Sequence, residues 1–171
     1  LSEMEYMLDE FLAFARGDQL EKMSEEYPWD IAEQVIENSD IRGAEITLYP
    51  TEKPVNELRV LLKPIAIKRA LENLILNASE FGNIISLKCF RDNRFICYSV
   101  SDNGPGIAEK DFENVMKPFY RLDNSRNANR KSGVGLGLAI VADITRNHGG
   151  EIALDKSTDL GGLKVTLKIP C

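Results

Sequence analysis

The chain has 171 residues, 27 acidic against 21 basic, for a net charge of -6, a length that suits one substantial domain or one domain with a fragment of another. The acidic balance disfavours nucleic acid or an anionic membrane as a general partner, and no apolar run approaches the ~18 residues of a membrane span. The three cysteines, Cys89, Cys97 and Cys171, form no C-x-x-C pair, which fits a reducing, cytoplasmic setting.

From Met4 to Arg16 the residues Met4, Met7, Leu8, Phe11, Leu12 and Ala15 fall at helical spacing. The stripe is already running where it starts, so it reads as the end of a longer helix, and the acidic opening Leu1 to Glu5 has no signal-peptide pattern. Gly17-Asp18 stops it, and the acidic, lysine-containing stretch to Tyr27 reads as a linker. Pro28 suits the first turn of a second helix with Ile31, Ala32, Val35 and Ile36 on its buried face, ending near Ser39 to Gly43. Ile46 and Leu48, then Val60 to Leu62, mark two strands joined by a polar turn around Pro50 to Asn56.

A long helix follows from about Ile65 to Phe81, with Ile67, Leu71, Leu74, Ile75 and Ala78 as one stripe and Asn73 and Asn77 a turn apart beside it. Asparagine costs a helix about 0.5 kcal/mol or more relative to alanine. The pair reads either as a solvated polar edge or as amide oxygens shared by one ligand, such as Mg²⁺, which takes few protein oxygens and otherwise phosphates and water. Strands at Ile84 to Arg91 and Phe95 to Ser101 flank Asp92-Asn93-Arg94 and predict a hairpin, with Cys89 and Cys97 as strand residues without chemistry.

In the second of these strands Ile96, Tyr98 and Val100 alternate, and the same period carries Asp102 to a core-facing position. A buried carboxylate needs a partner, and a ligand amino group such as that of adenine would serve. The alternative is an aspartate already past the strand end and capping the turn. The glycines of Asp102-Asn103-Gly104-Pro105-Gly106-Ile107 let the backbone turn sharply and approach a flat ring.

A short helical pattern at Glu109 to Met116 leads to Lys117-Pro118-Phe119-Tyr120-Arg121 and a polar excursion to Gly133. Such a long loop is more often functional than not. Lys117, Arg121, Arg126, Arg130 and Lys131 make it locally basic, which suits polyphosphate or an ordinary solvated loop. Gly133-Val134-Gly135-Leu136-Gly137-Leu138 then opens a helix with Leu136, Ile140 and Ile144 at four-residue spacing. Free N–H groups at such a terminus suit an anion, phosphate above all. His148-Gly149-Gly150 ends that helix, and strands at Glu151 to Leu154 and Leu163 to Ile169 close the chain. His148, the only histidine, reads as structural, favoured by the helix dipole.

These elements predict a two-layer α/β (α+β) sandwich: a mixed sheet, helices near residues 28 to 40, 65 to 81 and 135 to 148 on one face, the other face exposed. Four motifs in this order resemble the ATP-binding catalytic domain of sensor histidine kinases of the EnvZ type, within the wider GHKL group that includes DNA gyrase, the heat-shock chaperone clamps and the mismatch-repair ATPases. Asn73 to Ala78 is similar to the N box, Asp102 to Gly106 to the first glycine box, Lys117 to Arg121 to the F box, and Gly133 to Leu138 to the second glycine box. The resemblance covers roughly Pro28 to the C-terminus and implies the Bergerat ATP-binding fold, with ATP and Mg²⁺ as cofactors. It implies that Asn77 coordinates Mg²⁺, that Asn73 is the catalytic candidate beside the phosphates, and that Asp102 accepts from the adenine amino group. Phe81, Gly104, Gly106, Ile107, Tyr120, Arg121, Arg126, Arg130, Lys131, Gly133, Val134, Gly135, Leu136, Gly137 and Leu138 complete the implied nucleotide site.

By the same resemblance residues 1–23 are the tail of a dimerisation and phosphoacceptor helix with its linker, and residues 24–171 the catalytic domain. The implied partners are the phosphoacceptor domain of the same kinase, a response regulator and a second kinase copy, with the whole being the cytoplasmic part of an inner-membrane sensor. Two departures stand out. Glu80 occupies a position where the family usually has a basic residue, and an acid there would repel the nucleotide unless it turns away. The phosphoacceptor histidine belongs, by the family pattern, upstream of Leu1. A nucleotide-binding pseudokinase or sensor, motivated by Glu80, is therefore one rival reading. An ATP-driven dimerisation clamp ranks below it, because Asn73 stands where the clamps carry a carboxylate base and Glu72 points elsewhere.

Overall fold

The computed structural model describes residues 4, 5, 8, 9, 11, 12, 20–50, 55–122 and 135–171. Its elements are β1 (Ser24–Glu26), α1 (Pro28–Asn38), β2 (Glu45–Tyr49), β3 (Val60–Leu62), α2 (Pro64–Phe81), β4 (Ile84–Asp92), β5 (Phe95–Asp102), a 3₁₀ turn (Glu109–Asp111), α3 (Phe112–Val115), α4 (Gly137–Asn147), β6 (Glu151–Lys156) and β7 (Leu163–Pro170). Among the described residues no helix is long and apolar enough to cross a membrane.

The β4–β5 hairpin is the centre of a five-stranded sheet of order β2-β4-β5-β7-β6, in which only the β2–β4 pair is parallel. Its turn is tighter than expected. The strands run to Asp92 and from Phe95, leaving Asn93 and Arg94, and Asn93 takes a φ of 53°, a left-handed value that asparagine tolerates. Alternation then sorts the strands: Ile85, Leu87 and Cys89, Ile96, Tyr98 and Val100, and Val165, Leu167 and Ile169 share one core with the buried faces of α1, α2 and α4. The opposite face sets the buried Ser86, Ser99, Ser101 and Thr166 between the half-buried Lys88, Lys164 and Lys168, a polar face whose lysine stems lie over short hydroxyl side chains.

The predicted apolar stripe of α2 is the centre of the core, with Ile67, Leu71, Leu74, Ile75 and Ala78 all buried. Burying a side chain of this size is worth about 1.5–3 kcal/mol. Pro28 and Pro64 each open a helix at its first position, where the missing N–H is no loss. Cys89 and Cys97 are buried, and burial pushes their thiols up to about 12 and about 11, so they stay protonated and unreactive.

Three expectations need correction. The stretch up to Tyr27 is not all linker: Ser24–Glu26 forms β1 and pairs antiparallel with β3 in a separate two-stranded ribbon. For the same reason β2 and β3 are not neighbours; β2 instead joins the main sheet beside β4. His148 is structural, but not through a charge at the helix end. Its Nε2 accepts the Lys63 N–H at 3.0 Å and its Nδ1 lies 2.7 Å from Ile144 O. Both are satisfied by one neutral tautomer, which ties the end of α4 to the start of α2.

Candidate functional site

Asp102 is the last residue of β5 and 4% exposed, so it lies within the strand and not past its end, although it also caps the turn that follows. It continues the core-facing period, and it caps: Oδ1 accepts from Gly104 N at 2.8 Å and from Leu163 N at 3.3 Å. Burial pushes its carboxyl above the ordinary value, and those two backbone N–H groups pull it partly back. Oδ2 takes no hydrogen bond among the described residues, leaving one buried-edge acceptor for a donor from outside the protein.

Around this carboxylate the backbone closes to contact distance. A Cβ on Gly104 would stand 2.8 Å from Phe81 O, and one on Gly82 would stand 2.6 Å from Asn103 Oδ1. The Asn103 side chain is spent on structure, accepting from Asn83 N at 2.9 Å and Ile84 N at 3.0 Å. It thereby locks the end of α2 to the loop after Asp102. Gly106 has a φ of 73° and faces Gly162, and Ile107 packs at the edge of the core.

Gly162 is the site residue that sequence reasoning missed. Its N–H donates to Asp102 O at 3.0 Å, and a Cβ there would fall on Asp102 Oδ1 and on Asp102 O. Leu163, whose N–H holds the carboxylate, was read only as the start of a strand. The available signal was Gly161-Gly162 directly before a strand, a place where backbones approach closely.

The next wall is α2. Asn73 Nδ2 donates to Arg69 O at 2.9 Å, which fixes the amide orientation and leaves Oδ1 outward, 3.6 Å from where a Cβ on Gly137 would sit. Gly137 is the first residue of α4, so Asn73 lies beside that helix's free N–H groups. Asn77 is half-buried and its amide makes no hydrogen bond among the described residues. Phe81 closes the helix with its carbonyl against Gly104. Glu72 is exposed, away from the stripe as expected. Glu80 is half-buried; burial pushes its carboxyl up and the facing Arg121 guanidinium pulls it down.

The F-box region and the second glycine run meet directly. Phe119, with a φ of 64°, donates its N–H to Gly135 O at 3.0 Å. Gly135 is itself at a φ of 80°, and a Cβ on it would stand 3.0 Å from Tyr120 O. Glycine is thus required there twice over, for conformation and for space. Leu136 and Leu138 turn into the core, so among the described residues of this run, 135–138, backbone and glycine line the opening. Arg126, Arg130, Lys131, Gly133 and Val134 lie outside the described residues.

The donor set fits a nucleotide with a divalent cation. Among the described residues there is no group of three or more His, Cys, Asp or Glu able to hold a metal. A hard cation between Asn73 and Asn77 would therefore depend on phosphate oxygens and water for its remaining ligands. A separate cleft of about 340 Å³, floored by Met116, Ala142 and Ile152, includes none of these residues.

Three comparisons bear on the arrangement. The family described as histidine kinase-, DNA gyrase B-, and HSP90-like ATPase matches residues 62–171. The sensor histidine kinase GtrS of Pseudomonas aeruginosa is 37% identical over 108 residues, 63% of this chain and 22% of that protein. The chain thus spans less than a quarter of the length of that relative. Among solved structures, the ATP binding domain of PrrB from Mycobacterium tuberculosis superposes with a TM-score of 0.70 at 22% identity, over 87% of this chain and 97% of that one. Full-length ShkA in complex with AMPPNP gives 0.76 at 23% identity, over 96% of this chain and 35% of that one.

Proposed function

Because the chain belongs to the histidine kinase-, DNA gyrase B-, and HSP90-like ATPases, we propose that it is the ATP-binding catalytic domain of a two-component sensor histidine kinase. The sandwich is then the Bergerat fold, with residues 24–171 the ATP-binding domain and residues 1–23 the tail of the dimerisation and phosphoacceptor segment. The observation that carries the reading is Asp102: a buried carboxylate, anchored on one oxygen by two backbone N–H groups, with its other oxygen free of hydrogen bonds from the described residues.

In this reading Asp102 Oδ2 accepts a hydrogen bond from the adenine amino group, and Gly104 and Gly106 admit the ring by carrying no side chain. Bound Mg-ATP supplies the γ-phosphoryl group. Asn77 contributes an amide oxygen to the cation and Asn73 orients the phosphates beside the start of α4, whose N–H groups face the anion. Arg121, with Arg126, Arg130 and Lys131, adds the positive charge that stabilises transfer. The phosphoryl group goes to a histidine on a companion helical domain and from there to a response regulator. The full-length kinase acts as a homodimer, and this domain is the cytoplasmic part of an inner-membrane sensor.

A second reading rests on Glu80. An acid one turn from Asn77 would weaken phosphate binding and leave a nucleotide sensor without transfer. One experiment separates the two. With labelled ATP, residues 1–171 alone incorporate no label; adding the helical domain with its histidine produces acid-labile label on that domain, and Asn77→Ala removes it. ATP binding without transfer to the correct domain would favour the sensor, and label on His148 would overturn the kinase assignment.

A further inference from the structure

The first turn of α2 is completed from outside the helix. Its N-cap residue, Lys63, has no side-chain acceptor and its first residue, Pro64, has no N–H, so the unpaired donors fall on Ile65 and Ala66. One side chain takes both, from 44 and 45 residues upstream: Glu21 Oε1 accepts from Ile65 N at 2.7 Å and Oε2 from Ala66 N at 3.0 Å. A carboxylate at the positive end of a helix is well placed electrostatically. Three residues on, the chain enters β1, whose register against β3, Ser24 to Leu62 through Glu26 to Val60, lays it along the strand that leads into α2.

On the other side of Glu21 the next residue, Leu20, is 99% exposed. Among the described residues the upstream helical segment also meets the domain at Phe11, whose ring lies 6.2 Å from that of Phe119, two residues before Arg121. A serine at position 63 would cap α2 locally. The chain instead uses a distant acid, at the cost of ordering a linker.

We propose that Glu21 is a positioning residue for phosphoryl transfer: its carboxylate clamps the linker to the helix that carries Asn73 and Asn77, and so sets where the upstream helix leaves the ATP-binding domain. The clamp itself is independent of the kinase reading; its consequence for transfer rests on that reading. Transfer needs the acceptor histidine held in line with the bound phosphates. A displacement of about 1 Å can cost a hundredfold in rate.

The test compares wild type, Glu21→Ala, Lys63→Ser and the double variant Glu21→Ala/Lys63→Ser, in the full-length kinase with its phosphoacceptor histidine. Three quantities are read: Mg-ATP affinity by calorimetry, the autophosphorylation rate, and the distance distribution between spin labels at Leu8 and Glu45 in a Cys171→Ser background. Glu21→Ala lowers Tm by about 2–4 °C through the lost cap and broadens the distance distribution. It slows autophosphorylation by about tenfold or more, with Mg-ATP affinity within about twofold of wild type. In the double variant Tm recovers but neither the distribution nor the rate does. A distribution as narrow as wild type in Glu21→Ala, or a double variant that regains transfer along with Tm, overturns the proposal and leaves Glu21 a cap only. If wild type itself transfers no phosphoryl group the kinase reading fails, and the label distances alone then decide the clamp.

Discussion

Replacing Gly162 by alanine tests the geometry around Asp102, the proposed adenine acceptor, most directly. The new methyl would occupy the space of Asp102 Oδ1 and O and would stand 2.7 Å from Gly104 N. The glycine cannot retreat easily, because its N–H is bonded to Asp102 O at 3.0 Å and its carbonyl to Ser157 N at 2.7 Å. Either the carboxylate or the β6–β7 connection must move. Overpacking of this kind costs about 1–3 kcal/mol, and weakening the hydrogen bonds to a charged oxygen adds about 1.5–3 kcal/mol. Denaturant unfolding of Gly162→Ala is therefore expected to show a loss of about 3–5 kcal/mol. In calorimetric titrations well below the melting temperature, the folded fraction is expected to bind Mg-ATP about ten- to a hundredfold more weakly, as a displaced acceptor loses a charge-assisted bond. Gly161→Ala is the control. That residue has a φ of 89° but nothing within 4 Å of its added Cβ, so it costs about 1–2 kcal/mol of backbone strain with affinity unchanged. If Gly162→Ala binds nucleotide like wild type, Asp102 is not the adenine acceptor or the packing around it is not as described.

Asp102→Asn separates function from stability. Burial raises the carboxyl of Asp102 above its ordinary value of 3.8, so the folded state holds its proton more tightly than the unfolded state and stability from this group falls as pH rises from 3.8 through the raised value. Asparagine removes that cost while its Oδ1 can still accept from Gly104 and Leu163. The variant should be at least as stable as wild type at neutral pH yet lose nucleotide affinity by about tenfold or more; a joint loss of both would argue that the carboxylate is there for structure. Glu80→Lys should raise Mg-ATP affinity by about two- to tenfold, since it replaces an acid near the phosphates with a cation, and equal affinities would sink the idea that Glu80 weakens binding. His148→Ala should destabilise by about 2–4 kcal/mol through two lost hydrogen bonds and a cavity, with Mg-ATP affinity in the folded fraction unchanged. A stability equal to wild type would show that the α4-to-α2 tie is dispensable.

What could be read from the sequence was what neighbouring residues decide. The stripe of α2, the β4–β5 hairpin and the glycines before α4 are set by helical period, strand alternation and turn chemistry, all local. Asp102 was legible for the same reason: the alternation of Ile96, Tyr98 and Val100 delivers it to the core face, where a charge demands explanation. Even Gly135 and Gly137 announced a helix start before the partners of that start were known.

The remainder needed the folded chain, because it concerns which distant groups meet. A three-residue strand such as β3 has too little pattern to specify a partner, and its pairing with β1 instead of β2 is visible only in the fold. Arg121 opposite Glu80, Gly162 and Leu163 on Asp102, Glu21 on the first turn of α2 and His148 on Lys63 are all contacts between residues tens of positions apart. No period or turn rule reports them, since a donor's need for an acceptor is fixed locally while the acceptor's identity is decided by packing. Sequence alone thus determined most of the elements, their buried faces and the kinds of group proposed to surround a nucleotide. Only the tertiary structure decided how the carboxylate is anchored and how the linker is tied to the helix beside it, because both depend on backbone groups that every residue carries and that only folding brings together.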